Sequence, residues 1–275
     1  MDNEPKIIIE PSSGWVPLKL GELLKYRELL FFLAWRDVKV RYTQAVLGVA
    51  WAVIQPLMAM AIFSLIFGRL AKLPSEGIPY PVFCFVALLP WQLFSGSLER
   101  AGTSLVANAK LLTKVYFPRL IIPLSAVAAT LVDFCISFLM RLGLMLYYCI
   151  IPTWAVLWLP LLVLFAVLTA LGIGLWLSAL NVQFRDVEHM IPFVIQVWMY
   201  ASPVAYSADL IPPGRWRILY GLNPLAGVIQ GFRWSLLGGK PPDELLIVSA
   251  VMVMVLLVTG LFYFRRMEKT FADVV

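Results

Sequence analysis

Arg36, Asp37, Lys39, Arg41 and Tyr42 crowd together just ahead of a run, Ala45 to Phe67, that contains no ionisable residue. Cations of this kind suit phosphate: an arginine fork meets two oxygens at once, and a lysine adds a compact charge. Beside an apolar run they also do plainer work, keeping that end of the chain in the cytoplasm and anchoring it to lipid phosphates. The residues alone leave both readings open. A second pair of charges, Asp133 and Arg141, lies inside the long apolar run Leu120 to Ile150. A charge in hydrocarbon needs a partner. These two are separated by about 12 Å along a helix, too far to serve each other. Asp133 is expected to hydrogen-bond a neighbouring helix, and Arg141 to snorkel toward the outer surface. Two isolated charges make a poor proton relay.

Other chemistries find no residues to carry them. Gly239-Lys240 is followed by Pro241 and lacks the upstream glycine of a phosphate-binding loop, so no nucleotide motif is present. His189 is the single histidine, and no Ser-His-Asp set can be assembled. Cys84, Cys135 and Cys149 show no metal-ligand spacing and read as buried free thiols. The chain is therefore expected to bind no metal or cofactor and to catalyse nothing itself.

The elements that must position these side chains follow from composition. The 275 residues are 61% hydrophobic and 14% charged, with a mean hydropathy of +0.86. A soluble domain carries about 25% charged residues. The net charge of +6 lies between apolar runs as a topology signal, not as a nucleic-acid patch. A span needs about 20 apolar residues. Six candidates are read: Ala45 to Phe67, Tyr80 to Leu98, Leu120 to Ile150, Ala155 to Leu180, Met190 to Tyr206 and Leu245 to Phe264. The fifth is short and interrupted by Pro192 and Pro203. With both termini inside, fifteen Lys/Arg fall on cytoplasmic segments and six on external ones. No cleavable signal peptide is expected.

The predicted fold is an all-α polytopic membrane protein. Residues 1–44 form a tail and an amphipathic interface helix over Pro17–Arg41, with Leu20, Leu23, Leu24, Leu30 and Phe31 on one side. Residues 45–264 form the six-span domain and 265–275 a cytoplasmic tail. Two connections exceed plain turns. Residues 99–119 form a basic cytoplasmic loop with helical periodicity through Leu105, Leu111 and Leu112. Residues 207–240 form short re-entrant external helices, one over Arg215–Leu222 and one from an Asn223 N-cap and Pro224 to Leu237, ending at Gly238-Gly239. Trp91, Trp154, Trp158, Trp216 and Trp234 fit interface belts. Deeper aromatics, Trp51, Phe63, Trp198 and Tyr200, leave two readings open: helix packing, or apolar ring faces lining a conduit for sugars.

Four segments in this order resemble the permease subunits of ABC exporters for O-antigen, capsular polysaccharide and teichoic acid, the type-2 ABC exporter fold. They are Arg36, Asp37, Lys39, Arg41 and Tyr42 followed by Leu47, Gly48, Trp51 and Pro56; YFPRLIIPLS at 116–125; NVQFRDV at 181–187; and LNPLAGVIQGFR at 222–233. The resemblance covers nearly the whole chain. It implies a homodimer bound to two copies of a cytoplasmic ATPase that holds ATP and Mg. It places ATPase coupling at Lys114, Tyr116, Phe117, Pro118 and Arg119, and the channel between the first and fifth spans. An external gate falls at Arg215, Trp216, Asn223 and Pro224. The substrate would be a glycan on polyprenyl pyrophosphate, met at the cytoplasmic mouth by Arg36, Lys39, Arg41 and Tyr42, in the inner membrane. The same fold exporting a drug or another lipid is the alternative.

Overall fold

The computed structural model describes residues 20–43, 48–150, 153–212, 214–238, 241–269 and 271, and among them regular structure is helical throughout. Residues 17–19 and Leu47, and the side chain of Trp51, lie outside the described residues. Two helices, α1 (Leu20–Lys25) and α2 (Arg27–Thr43), lead to α3 (Gly48–Phe63). The π-helical segment Ser64–Leu70 extends α3, and its register is fixed by Ala71 N donating to the Ile66 carbonyl at 2.8 Å. α4 (Tyr80–Ala107), α5 (Ala109–Lys114), α6 (Ile121–Tyr147) and α7 (Leu159–Gln183) follow. Then come α8 (Asp186–Ala201), α9 (Arg215–Gly221), α10 (Pro224–Leu237) and α11 (Glu244–Met267).

Five of the described segments are long and apolar enough to cross a membrane: Val53–Leu70, Tyr80–Ala107, Ile121–Tyr147, Trp154–Gln183 and Glu244–Met267. The stretch expected as a fifth span, Met190 to Tyr206, differs. It is served by α8, whose 16 residues rise about 24 Å, short of a hydrocarbon core of about 30 Å.

α4 is the axis of the bundle, packed on α7, α6 and α10. At one end, Leu33 of α2, Leu105 of α4, Leu112 of α5, Phe117, Ile121 of α6, Val182 of α7 and Phe264 of α11 form a single core. At the other, Leu89 of α4, Met145 of α6, Leu162 of α7 and Phe232 of α10 form another. α7 and α11 cross so closely that a Cβ on Gly260 would fall inside the envelope of the Gly172 carbonyl oxygen. Only glycine admits that approach.

The stretch after Leu98, expected as a cytoplasmic connection with helical periodicity, continues α4 without a break to Ala107. Ala101, Ser104 and Leu105 are buried there, and the one arginine among them is neutralised within the bundle, as described below. α1 and α2 present apolar side chains on two faces, not one. Leu23, Leu30 and Leu33 pack inward, while Leu24, Phe31, Phe32 and Trp35 are exposed. Trp91, expected in an interface belt, is buried beside Phe94, whereas Trp154 is exposed and meets Trp234 edge-on at 5.9 Å. Cys84 is buried as expected, but Cys135 and Cys149 lie on the outer surface of the chain.

Candidate functional site

Three helices, α2, α4 and α6, border an open-sided cavity of about 510 Å³ near the end of the bundle that holds α1 and α2. Its walls carry Arg36, Asp37 and Arg41 from α2 and Arg100 and Thr103 from α4, with Asn108 just beyond α4. Small residues, Ala126 and Ala129, form the α6 side and leave the space open.

Asp133 of α6 organises the charges. Its Oδ2 accepts from Arg41 Nη1 and from Arg100 Nη2, the latter at 2.9 Å, and its Oδ1 accepts from the Tyr42 hydroxyl. α4 and α6 are joined through α5 and run in opposite directions. Side chains lean toward the N-terminus of their own helix, so those of Arg100 and Asp133 lean together. Burial, reinforced by the Asp133 carboxylate, pushes the Tyr42 phenol up to about 12, so it is a donor at neutral pH. Arg36 is held separately. Its guanidinium grips Asp37 Oδ1 at 2.8 and 3.0 Å, and its Nη2 also donates to Asn108 Oδ1 at 2.9 Å. Three arginines thus face two carboxylates. Arg100 Nη1 is buried without a hydrogen-bond partner among the described residues.

Of the residues proposed from sequence, Arg36 and Arg41 line the cavity, Tyr42 is tied to Arg41 through Asp133, and Lys39 is exposed and off the cavity wall. Asp133 does bond a neighbouring helix, as expected. Arg141 does not reach for the surface: it is 0% exposed, and its Nη1 donates to the Val82 carbonyl at 2.9 Å. Arg100 and Asn108 were not foreseen. The available signal was that Asp133 needs a cation, but Lys110, Lys114 and Arg119 all lie nearer to it in sequence than Arg100 does.

Next to this site, α5 and the residues after it divide into a facing surface and a brace. Lys114 is exposed and Tyr116 is 80% exposed, whereas Phe117 is only 5% exposed and sits in the core with Leu33 and Leu120. Arg119 donates from its backbone to Glu268 Oε1 at 3.2 Å and from its guanidinium to the Glu268 carbonyl, and stands over Phe271. Pro118 lies between them, half-buried. Phe117→Ala is expected to lower stability by about 3 kcal/mol by opening a core cavity. Tyr116→Ala should stay within ~0.5 kcal/mol. Thermal unfolding of both purified variants checks the contrast.

At the opposite end, Asn223 is a junction. It caps α10 by accepting from Leu225 N at 3.1 Å and accepts from Trp198 Nε1 at 3.0 Å, while its amide donates to Ser202 Oγ at 2.9 Å. Pro224 is buried at the first position of α10, which ends at Gly238. Arg215 and Trp216 open α9 and are exposed, and Arg217 pins it to Asp209 and Asp243 at 3.2 and 2.8 Å. Of the deeper aromatics, Trp198 is thus engaged in packing and Phe63 lies 5.4 Å from Phe67, while Tyr200 is exposed. Asn223→Ala is expected to cost about 2 kcal/mol, combining a lost cap with an unpaired Trp198 donor. Trp198→Phe should cost less, and melting curves of the two variants test the order.

Residues 28–237, from α2 to α10, match the family model described as ABC-2 type transporter. The chain belongs to that family. It is 33% identical to the O-antigen export system permease protein RfbA of Myxococcus xanthus, over 92% of this chain and 97% of that protein. It is 32% identical to a Klebsiella pneumoniae protein of the same name, over 90% and 95%. It is 25% identical to the polysialic acid transport protein KpsM of Escherichia coli, over 85% and 91%. This ABC-2 transporter chain is accordingly a multi-pass membrane protein. Both the charged cavity of α2, α4 and α6 and the Asn223 junction fall within the residues the family model matches.

Proposed function

We propose that this chain is the permease subunit of an ATP-driven exporter of lipid-linked polysaccharide. The observation that carries the reading is the cavity with the charges around it: Arg36, Arg41 and Arg100 on its walls against Asp37 beside them and Asp133 just behind. That is the chemistry a diphosphate headgroup requires. The substrate class comes from relatives named for O-antigen and polysialic acid, similar along nearly their full length.

In this reading the cavity opens to the cytoplasm at the inner membrane, and both termini lie on that side. α8 completes a sixth crossing, shortened at Ser202. The chain pairs with a second copy. α3 and α8 expose apolar side chains, Met58, Ile62, Phe193 and Val197, against which the second copy would pack. These faces, with Tyr200 and Trp51, would line the polymer's route. Two copies of an ATPase dock on Lys114 and Tyr116, with Phe117, Pro118 and Arg119 bracing that surface from beneath. ATP and Mg belong to that partner. α9 and α10, with Arg215, Trp216, Asn223 and Pro224, form the external gate.

The test is the location of lipid-linked glycan in cells lacking this gene. Polymer trapped inside, with surface polysaccharide lost, is the expected result. Unchanged surface glycan with no internal pool would overturn the polysaccharide assignment and point to another lipid.

A further inference from the structure

Asp133 occupies the position that an anionic ligand would take between Arg41 and Arg100. Both guanidinium groups converge on one of its oxygens, Oδ2, while the other, Oδ1, is held by a neutral donor, the Tyr42 hydroxyl. This division of labour is more than a salt bridge needs. If Asp133 only had to neutralise a cation, one arginine would suffice. With two, the carboxylate can release both cations and still keep a hydrogen bond to Tyr42, which avoids the full cost of an unpaired buried carboxylate. One turn earlier on α2, Arg36 remains neutralised by Asp37, and Asn108 fixes its direction.

We infer that Asp133 is an internal counter-ion which a diphosphate displaces from Arg41 and Arg100, with Tyr42 holding the displaced carboxylate. The inference rests on the headgroup reading above and adds to it a competitor built into the site. A displaced carboxylate that returns to its arginines expels the ligand, so Asp133 serves release as well as reception. It is a positioning residue, acting through the arginines. The ligand chemistry is a diphosphate ester carrying two negative charges. Such a group exceeds a single carboxylate in charge and spans two guanidinium forks.

The experiment uses the full chain in lipid nanodiscs, with inorganic pyrophosphate as the probe and binding followed by calorimetric titration. Two variants are expected to move affinity in opposite directions. Asp133→Asn removes the competitor's charge and should tighten pyrophosphate binding by about tenfold, while slowing glycan export in cells. Tyr42→Phe removes the holder of the displaced carboxylate and should weaken binding by about tenfold. A strut that merely supports the fold would weaken binding when lost, never strengthen it. If Asp133→Asn does not fold, Tyr42→Phe decides alone: weaker binding supports the inference and unchanged binding overturns it. If wild type binds pyrophosphate and neither variant shifts its affinity, the competitor is rejected while the headgroup reading stands. If wild type binds no pyrophosphate and Arg100→Gln exports normally, both are rejected.

Discussion

Replacing Arg41 by alanine is expected to cut glycan export by roughly thirtyfold while leaving the chain folded. The reason is a balance of charges. Arg36, Arg41 and Arg100 stand against Asp37 and Asp133 in and beside the cavity. Removing Arg41 brings that balance to zero, so nothing favours an anion over water. Asp133 keeps Arg100 and Tyr42 as partners, which is why the fold survives. One charge-assisted hydrogen bond to the ligand is worth about 2 kcal/mol, or roughly thirtyfold in affinity. Arg41→Lys restores the charge but not the fork, and should recover export in part. Export and substrate-stimulated ATP hydrolysis are the measurements. If both are normal in Arg41→Ala, the cavity does not receive the headgroup.

The second large effect is on folding. Gly260→Leu is expected to prevent accumulation of folded protein. A Cβ at this position already collides with the Gly172 carbonyl oxygen and approaches Trp176 at 3.1 Å. The collision is with backbone, which cannot rotate aside, so α7 and α11 must separate. That separation breaks the parallel stack of Trp176 on Tyr263, whose ring centroids are 4.3 Å apart. Overpacking of this kind costs about 3 kcal/mol or more. In lipid no hydrophobic force draws the helices back together, since packing itself supplies their association. Gly260→Ala should be milder but still destabilised. Size-exclusion profiles in detergent distinguish the three proteins, and a monodisperse Gly260→Leu peak at wild-type yield would refute the argument.

Much of the architecture was legible in local chemistry. Asn223-Pro224 and Gly238 mark both ends of α10, because a cap, a missing N–H and a helix stop act within a few residues. The lengths of the apolar runs gave the crossing helices for the same reason. The cavity was only half legible. Arg41 and Asp133 are far apart in the chain, and a charge in an apolar run announces that it needs a partner without naming it. Arg100 was hidden in a stretch that reads as a cytoplasmic connection until the α6 carboxylate is placed opposite. Arg141 misled because its side chain is long enough to snorkel, yet the Val82 carbonyl lies closer than any surface. Phe117 carries no local mark of being buried, since its burial depends on Leu33 and Phe271 from the two ends of the chain.

The π-helical segment Ser64–Leu70 has a mechanical consequence. A π turn takes up more residues than an α turn, so this end of α3 carries surplus chain. If one residue of the surplus passed into regular helix, the part of α3 before it would turn like a screw by about 100°. Each i→i+5 bond would be exchanged for an i→i+4 bond, so no hydrogen bond need be lost. Ile54, Met58 and Ile62, which now point away from the rest of the chain, would swing through more than a quarter turn. A helix so lightly packed against its neighbours meets little resistance to that motion. The first crossing segment thus has the means to change which side chains it shows without unfolding any of them.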